Sequence, residues 1–213
     1  MTDKKIDRTN ILFTLSAVTG TGKTTVANRA LACDKRLKRI VSYTTRPLRP
    51  GEVDGDSYHF VSEHQYRDMQ KAGRFCENAN VYGAWYGVCA QDIMKGLEDS
   101  DVLLVVDWQG ARTLSQWYSR VVKIFLLPPS VDALKERIAS RDGQAPHVKE
   151  RFTMIADEIQ KCKESDYIVM NDYLDKAVAD VLAIVHAERM KRQTRLPACQ
   201  RIVDGFLEPD AFS

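Results

Sequence analysis

The chain lacks most of the marks of a secreted, zinc-binding or membrane protein. Its five cysteines, Cys33, Cys76, Cys89, Cys162 and Cys199, are scattered and odd in number, with no Cys-x-x-Cys pair. The four histidines do not stand at metal-ligand spacing from them. A disulfide framework and a zinc site are therefore disfavoured, and reduced thiols are expected. No apolar run approaches the roughly 20 residues of a membrane span. The stretch Met1 to Asn10 is polar and has no apolar core of a secretory leader, so a cytoplasmic location is expected. A net charge of +2 over 213 residues is too small to argue for nucleic acid or a membrane surface as partner.

What is present suits a single domain with a substantial core: 44% hydrophobic and 28% charged residues. Short β-rich apolar runs occur at Ile11–Leu15, Val102–Asp107, Val122–Leu127 and Tyr167–Met170, with a further candidate at Arg39–Ser42. Helical patterns alternate with them at Thr24–Leu31, Gln91–Leu97, Val131–Ser140, Val148–Ser165 and Leu174–Arg189. That alternation predicts an α/β fold with a mostly parallel sheet flanked by helices. Between Ser42 and Val88 the texture changes to prolines, glycines and interleaved aromatics, which predicts an inserted, partly β lobe. Arg141 to Pro146 interrupts two helical stretches and reads as a mobile cover. The tail after Lys191 is basic, then apolar and irregular.

The most telling segment is Ala17-Val18-Thr19-Gly20-Thr21-Gly22-Lys23-Thr24, followed by Thr25. It joins an apolar strand to a helical pattern, the context of a phosphate-binding loop. Backbone N–H groups of such a turn, the helix N-terminus and the Lys23 ammonium all attract phosphate. The Thr24 hydroxyl is placed to hold the Mg²⁺ that bridges the outer phosphates of ATP. Ala17 stands where this loop type has its first glycine, and its Cβ matters only if the position needs a positive φ.

A second cluster follows in Ser42 to Phe60. Arg46 and Arg49 lie three residues apart, each followed by a proline that stiffens the segment, where two guanidiniums can grip one phosphate. Taken with Thr44–Glu52, Tyr58–Phe60, Phe75–Glu77, Trp85–Gly87, Asp107–Gly110, Leu127–Ser130 and Val169–Asp172, the chain resembles the guanylate kinases from about Ile11 to Lys191. The resemblance implies a P-loop nucleoside monophosphate kinase fold with a GMP-binding lobe and a helical lid. It divides the chain into a core of 11–41, 90–133 and 165–190, a monophosphate-binding lobe of 42–89, a lid of 134–164 and a tail of 191–213. It also implies ATP-dependent phosphorylation of GMP and dGMP with Mg²⁺, by a monomer or weak homo-oligomer.

Carried over by motif, Arg46, Arg49, Tyr58 and Tyr86 resemble the monophosphate clamp, with Glu52 orienting the arginines and Ser42 a smaller polar contact. Glu77 and Asp107 match the family's acids near the base. A carboxylate there accepts from guanine N1–H and N2–H₂ together and would stand unsatisfied against adenine. Taken singly, Asp107 equally suits a helix cap and Glu77 a surface position. Arg137, Arg141 and Arg151 resemble the lid arginines that, with Lys23 and Arg46, neutralise charge during transfer, although Arg137 and Arg141 also suit a solvated basic face. Asn171 matches a residue near the adenine.

The chain departs from the family pattern in several places. Ala17 and Val18 replace Gly-Pro, Val88 replaces a hydroxyl residue at the base, Val105 replaces an acid, Ser57 replaces an Asp, and the lid is slightly short. Weaker GMP binding or looser base choice is the expected result. The competing readings are a ribose 1,5-bisphosphate phosphokinase-like enzyme and a non-catalytic phosphopeptide-binding domain of guanylate-kinase type. Glu77 and Glu52 with the double-arginine segment speak against the first; Lys23-Thr24 with the lid arginines speaks against the second.

Overall fold

The computed structural model describes residues 10–81, 83–142 and 155–208, except for the side chains of residues 140–142. Five short strands form a parallel sheet in the order β2-β7-β1-β8-β9. They are β1 (Leu12–Ala17), β2 (Leu37–Arg39), β7 (Asp101–Val105), β8 (Val121–Leu127) and β9 (Tyr167–Met170). β1 is buried on both faces, which is why it reads as an unbroken apolar run. Phe13 and Leu15 pack with Val26, Ala27 and Ala30 of α1 (Lys23–Cys33) and with Val178, Val181 and Val185 of α7 (Leu174–Met190). Leu12 faces the other way, onto Ile93 and Leu97 of α3 (Ala90–Asp99) and Ala111 and Leu114 of α4 (Trp108–Trp117).

The expected inserted lobe is a second sheet of four strands, in the order β4-β3-β6-β5. These are β3 (Tyr43–Thr44), β4 (His59–Phe60), β5 (Phe75–Val81) and β6 (Ala84–Cys89), with α2 (Glu63–Lys71) between β4 and β5. α2 was not anticipated. It starts on a capping box in which Ser62 accepts from Gln65 N and the Gln65 side chain accepts from Ser62 N. The lobe is tied together at Tyr66, whose hydroxyl donates to the Tyr86 carbonyl at 2.7 Å. Gly87 makes room for it, since a Cβ there would stand 2.7 Å from that hydroxyl.

Three expectations need correction. The strand foreseen at Arg39–Ser42 is replaced by β2, which ends at Arg39, and by β3, which begins at Tyr43. The apolar residues Ile40 and Val41 lie in the extended link between the two sheets. The tail is not irregular: α8 spans Arg192–Leu207 with Pro197 inside it, and Ile202, Phe206 and Leu207 are exposed. The long helix foreseen at 148–165 is helical over 155–160 (α6) and closes in a 3-10 turn at Lys161–Glu164; residues 148–154 lie outside the described ones. Helix α5 (Val131–Asp142) carries Leu134 and Ile138 into a small core with Val18 and Phe125, so its first turns sit against the phosphate loop.

The five cysteines are all free. Among the described residues, no helix is long and apolar enough to cross a membrane.

Candidate active site

A cleft of about 640 Å³ opens at the carboxyl ends of β1 and β7, between the parallel sheet and the inserted lobe. Residues Val18 to Thr25 line one wall; Ser42, Arg46, Arg49, Glu52, Tyr58, Glu77 and Tyr86 line the other. Val105, Asp107 and Arg137 complete it. The structure thus brings together in one cleft most of the residues singled out from the sequence.

The loop is built to leave donors open. Ala17 is the last residue of β1 and pairs with Leu126 in the sheet, so its backbone is extended and its Cβ does no harm. The left-handed positions are Gly20 (φ 87°) and Gly22 (φ 92°), where glycine is retained. A Cβ on Gly20 would lie 2.8 Å from Ile138 Cγ1, and one on Gly22 would lie 2.8 Å from Asn171 Nδ2. Gly22 caps α1 with no side-chain acceptor, and the first turn holds no acid. α2 and α4 satisfy their first N–H groups with Ser62 and Asp107, whereas α1 leaves its own for an anion. Thr24 is exposed at this end and presents a hydroxyl to the cleft, as a Mg²⁺ ligand beside phosphate requires.

Lys23 is half-buried and its Nζ donates to the Val106 carbonyl at 3.1 Å. Burial pushes its pKa down, opposed by the negative charges of Asp107 and Glu158. Glu158, on α6, has its own carboxyl pushed up by burial, with Lys23 acting against that. It is a neighbour of Lys23 that sequence reasoning missed, because nothing in its local pattern separates it from a solvated helix position.

Arg46 is held by its own lobe. Nη1 donates to Glu52 Oε2 at 2.9 Å and Nη2 to Oε1 at 2.7 Å, while Nε donates to the Tyr86 hydroxyl at 3.2 Å. Its guanidinium carbon lies 5.4 Å from the Tyr58 ring centre. These Arg46 bonds hold the Glu52 carboxyl below its usual range. Glu52 also accepts from the Arg49 backbone N at 2.8 Å, which shapes the turn carrying both arginines. The Arg49 side chain is exposed at the cleft.

Glu77 is 4% exposed. Burial, and secondarily the charge of Asp107, push its pKa up to about 8. Among the described residues, no hydrogen-bond donor meets its carboxyl group. Asp107 caps α4, accepting from Gly110 N at 2.7 Å, so the capping reading was sound; it also lines the cleft beside Glu77. Gly110 is what permits the approach of α4 to β5, since a Cβ there would meet Glu77 Oε1 at 3.0 Å.

Besides Ala17, which ends β1, two residues from the sequence reading stand outside the cleft lining. Asn171 is buried outside the cleft; its Nδ2 donates to the Thr21 carbonyl at 2.7 Å, and Arg137 Nη2 donates to the Asn171 carbonyl at 3.2 Å. It braces the phosphate loop from behind. Val88 is 1% exposed in the core with Leu12 and Ile93, so its departure from the pattern is absorbed by packing. The Arg141 side chain and Arg151 lie outside the described residues. The cleft also holds Arg39 and Asn28, which sequence reasoning did not single out.

A glycine turn opening a helix that has no side-chain cap, at the carboxyl end of the central strand of a parallel sheet and facing an arginine clamp on an inserted lobe, defines a phosphate-binding-loop kinase fold. The family model for guanylate kinase matches residues 9–188. The chain is 37% identical to the guanylate kinase of Methylobacillus flagellatus over 92% of its length and 98% of that protein. It is 36% identical to that of Coxiella burnetii, over 92% and 97%. The crystal structure of guanylate kinase from Anaplasma phagocytophilum superposes with a TM-score of 0.74 at 30% identity, covering 87% of this chain and 89% of that one. The chain belongs to the guanylate kinase family.

Proposed function

We propose that the protein is an enzyme transferring the terminal phosphoryl group of ATP to GMP, and to dGMP, yielding ADP and the guanosine diphosphate. The observation that carries this reading is Glu77, a buried carboxyl group that meets no donor among the described residues, in the same cleft as the phosphate loop and the Arg46 clamp. A base with adjacent N1–H and N2–H₂ donors satisfies it; adenine does not.

The acceptor is a phosphate oxygen already anionic at neutral pH, so no strong general base is needed. The task is to hold two polyanions in line and neutralise the charge between them. The loop from Val18 to Thr24 and the open end of α1 take the outer phosphates of ATP, with Lys23 as the mobile cation. Arg46, Arg49, Tyr58 and Tyr86 take the acceptor phosphate, Glu52 fixes the plane of Arg46, and Ser42, Glu77 and Asp107 face the base. Arg137, on α5, reaches the loop by donating from Nη1 to the Thr21 carbonyl at 3.4 Å. Arg141 and Arg151 belong to the same lid in this reading and close the cage over the phosphates. Thr24 would hold Mg²⁺ beside the phosphates, and the metal would supply charge neutralisation there. The division into core, lobe (42–89), lid (134–164) and tail (191–213), a monomeric or weakly oligomeric state and a cytoplasmic setting are part of the same proposal.

The experiment is ADP release from Mg-ATP against GMP, dGMP, AMP, CMP, UMP and ribose 1,5-bisphosphate. Turnover confined to GMP and dGMP is expected. Turnover on the sugar phosphate alone, or none on any acceptor, overturns the reading.

A further inference from the structure

Arg39 ends the edge strand β2 at the carboxyl side of the sheet, and its side chain lines the cleft with Thr24, Thr25, Asn28, Ser57 and Tyr58. Its Nη1 donates to Asn28 Oδ1 at 3.1 Å, on the first turns of α1, and its Nη2 donates to the Ser57 carbonyl at 3.0 Å, on the lobe. It therefore spans the gap between the two phosphate sites.

Both of its partners are neutral. Among the described residues no carboxylate forms an ion pair with it, although Asp56 lines the same cleft. Other well-placed arginines are spent: Arg189 on Asp34 and Asp101, Arg29 on Asp175, and Arg46 on Glu52. Arg46 has four of its donor contacts inside its own lobe, to Glu52 twice, to Tyr86 and to the Pro47 carbonyl. Arg39 uses two of its five N–H donors, and the others have no protein acceptor among the described residues. A half-buried, uncompensated guanidinium in a cleft wall is completed by an anion. Its neighbours say which one. Tyr58 belongs to the acceptor-phosphate clamp and feels the Arg39 charge, whereas Glu77, Ala79 and Val81 line the cleft on the base-facing strand β5.

We propose that Arg39 is a further ligand of the acceptor 5′-phosphate, held ready by Asn28 and the Ser57 carbonyl and adding a third guanidinium to Arg46 and Arg49. The assignment rests on the GMP reading above and extends it. It places additional acceptor binding on the phosphate, in a site where Val105 offers the nucleotide an apolar wall. The phosphate contact is blind to the base, so losing it lowers affinity for every monophosphate without changing the preference for guanine.

The test compares Kd for GMP and for guanosine, by calorimetry, in the wild type and in Arg39→Gln, Arg39→Lys and Arg39→Ala. Arg39→Gln keeps a donor for Asn28 and the Ser57 carbonyl while removing the charge, so it guards against misfolding of the alanine variant. GMP affinity is expected to fall about ten- to hundredfold in the Gln variant, the range for a charged hydrogen bond, with guanosine affinity unchanged and the Lys variant intermediate. Unchanged GMP affinity, or equal losses for GMP and guanosine, overturns the assignment and leaves Arg39 as a strut between core and lobe. A wild type that does not phosphorylate GMP is a separate outcome, because it removes the function proposed above before any Arg39 variant is read.

Discussion

Arg46 and Glu52 meet through two parallel hydrogen bonds, Nη1 to Oε2 at 2.9 Å and Nη2 to Oε1 at 2.7 Å. Forked pairing of this kind fixes the plane of the guanidinium as well as its position. Because Glu52 also accepts from Arg49 N, one carboxylate sets the geometry of both clamp arginines. Glu52→Gln keeps one acceptor oxygen and loses the charge and the second acceptor. KM for GMP should rise about tenfold, the loss of roughly one charged hydrogen bond, while KM for ATP stays within error in initial-rate assays. Equal changes in both constants would mean that Glu52 serves the fold rather than the clamp.

Glu77 carries the pH dependence. Its pKa of about 8 means that the free protein at pH 7 holds this carboxyl group mostly protonated, yet only the carboxylate accepts from both guanine donors. Binding therefore expels a proton. Guanosine, which has no phosphate to titrate, should bind about tenfold more tightly per pH unit from 6 towards 8, with the slope levelling above it. Glu77→Gln should flatten the profile and erode the preference for GMP over AMP. For stability the sign is opposite to that of a salt-bridged acid. The folded pKa lies above the ordinary 4.5, so the folded chain holds the extra proton, and stability of the free protein falls as pH rises from about 4.5 to 8. The Gln variant should lose that slope in urea titrations.

The reason these residues were legible lies in how local their signals are. Phe13 and Leu15 face one helix layer and Leu12 the other, so the β1 run declares a doubly covered strand. Gly22-Lys23-Thr24 is read from neighbours in sequence because the loop, too, is local. Gly110 follows the same logic once Glu77 is known to lie against α4. Arg39 and Glu158 gave no such signal. Each acts on residues of other elements, and a charged side chain on an edge strand or a helix looks alike whether it faces solvent or a phosphate. Val88 is a different case. Its departure from the motif was legible, but its burial beside Leu12 and Ile93, opposite Glu77 in the lobe sheet, was not, since motif position does not reveal burial. Pro197 and the mixed apolar tail suggested irregular chain, but α8 carries the proline in its second turn and exposes its apolar residues.

Gly22 sits at φ 92°, and the Asn171 amide that braces Thr21 lies where a Cβ would go, 2.8 Å away. Gly22→Ala meets both costs, a left-handed backbone at about 1–2 kcal/mol and a contact that displaces the brace. The variant should unfold at lower urea and show a raised KM for ATP. Adding Asn171→Ala relieves the contact and leaves the backbone cost, so the double variant should be less destabilised than the sum of the single changes. Strict additivity would show that the amide does not constrain this turn.

Lys23 gives the sharpest test of the loop. At rest its Nζ is parked on the Val106 carbonyl, 3.1 Å away, between the negative groups Asp107 and Glu158 that offset the cost of its burial. A phosphoryl group arriving over α1 offers a stronger acceptor than one carbonyl, and the flexible stem lets the ammonium follow the charge as it develops. Lys23→Ala removes that cation and leaves the lobe untouched. The transfer rate should drop about 10²–10³-fold, with GMP affinity unchanged by calorimetry and the circular dichroism spectrum preserved. Lys23→Arg should recover little, because a rigid planar fork does not reproduce a compact ammonium in this half-buried position. Near-normal turnover in the alanine variant would place the charge neutralisation elsewhere in the cleft, with Arg39 and Arg137 among the remaining described cations that reach the phosphate loop or the helix it opens.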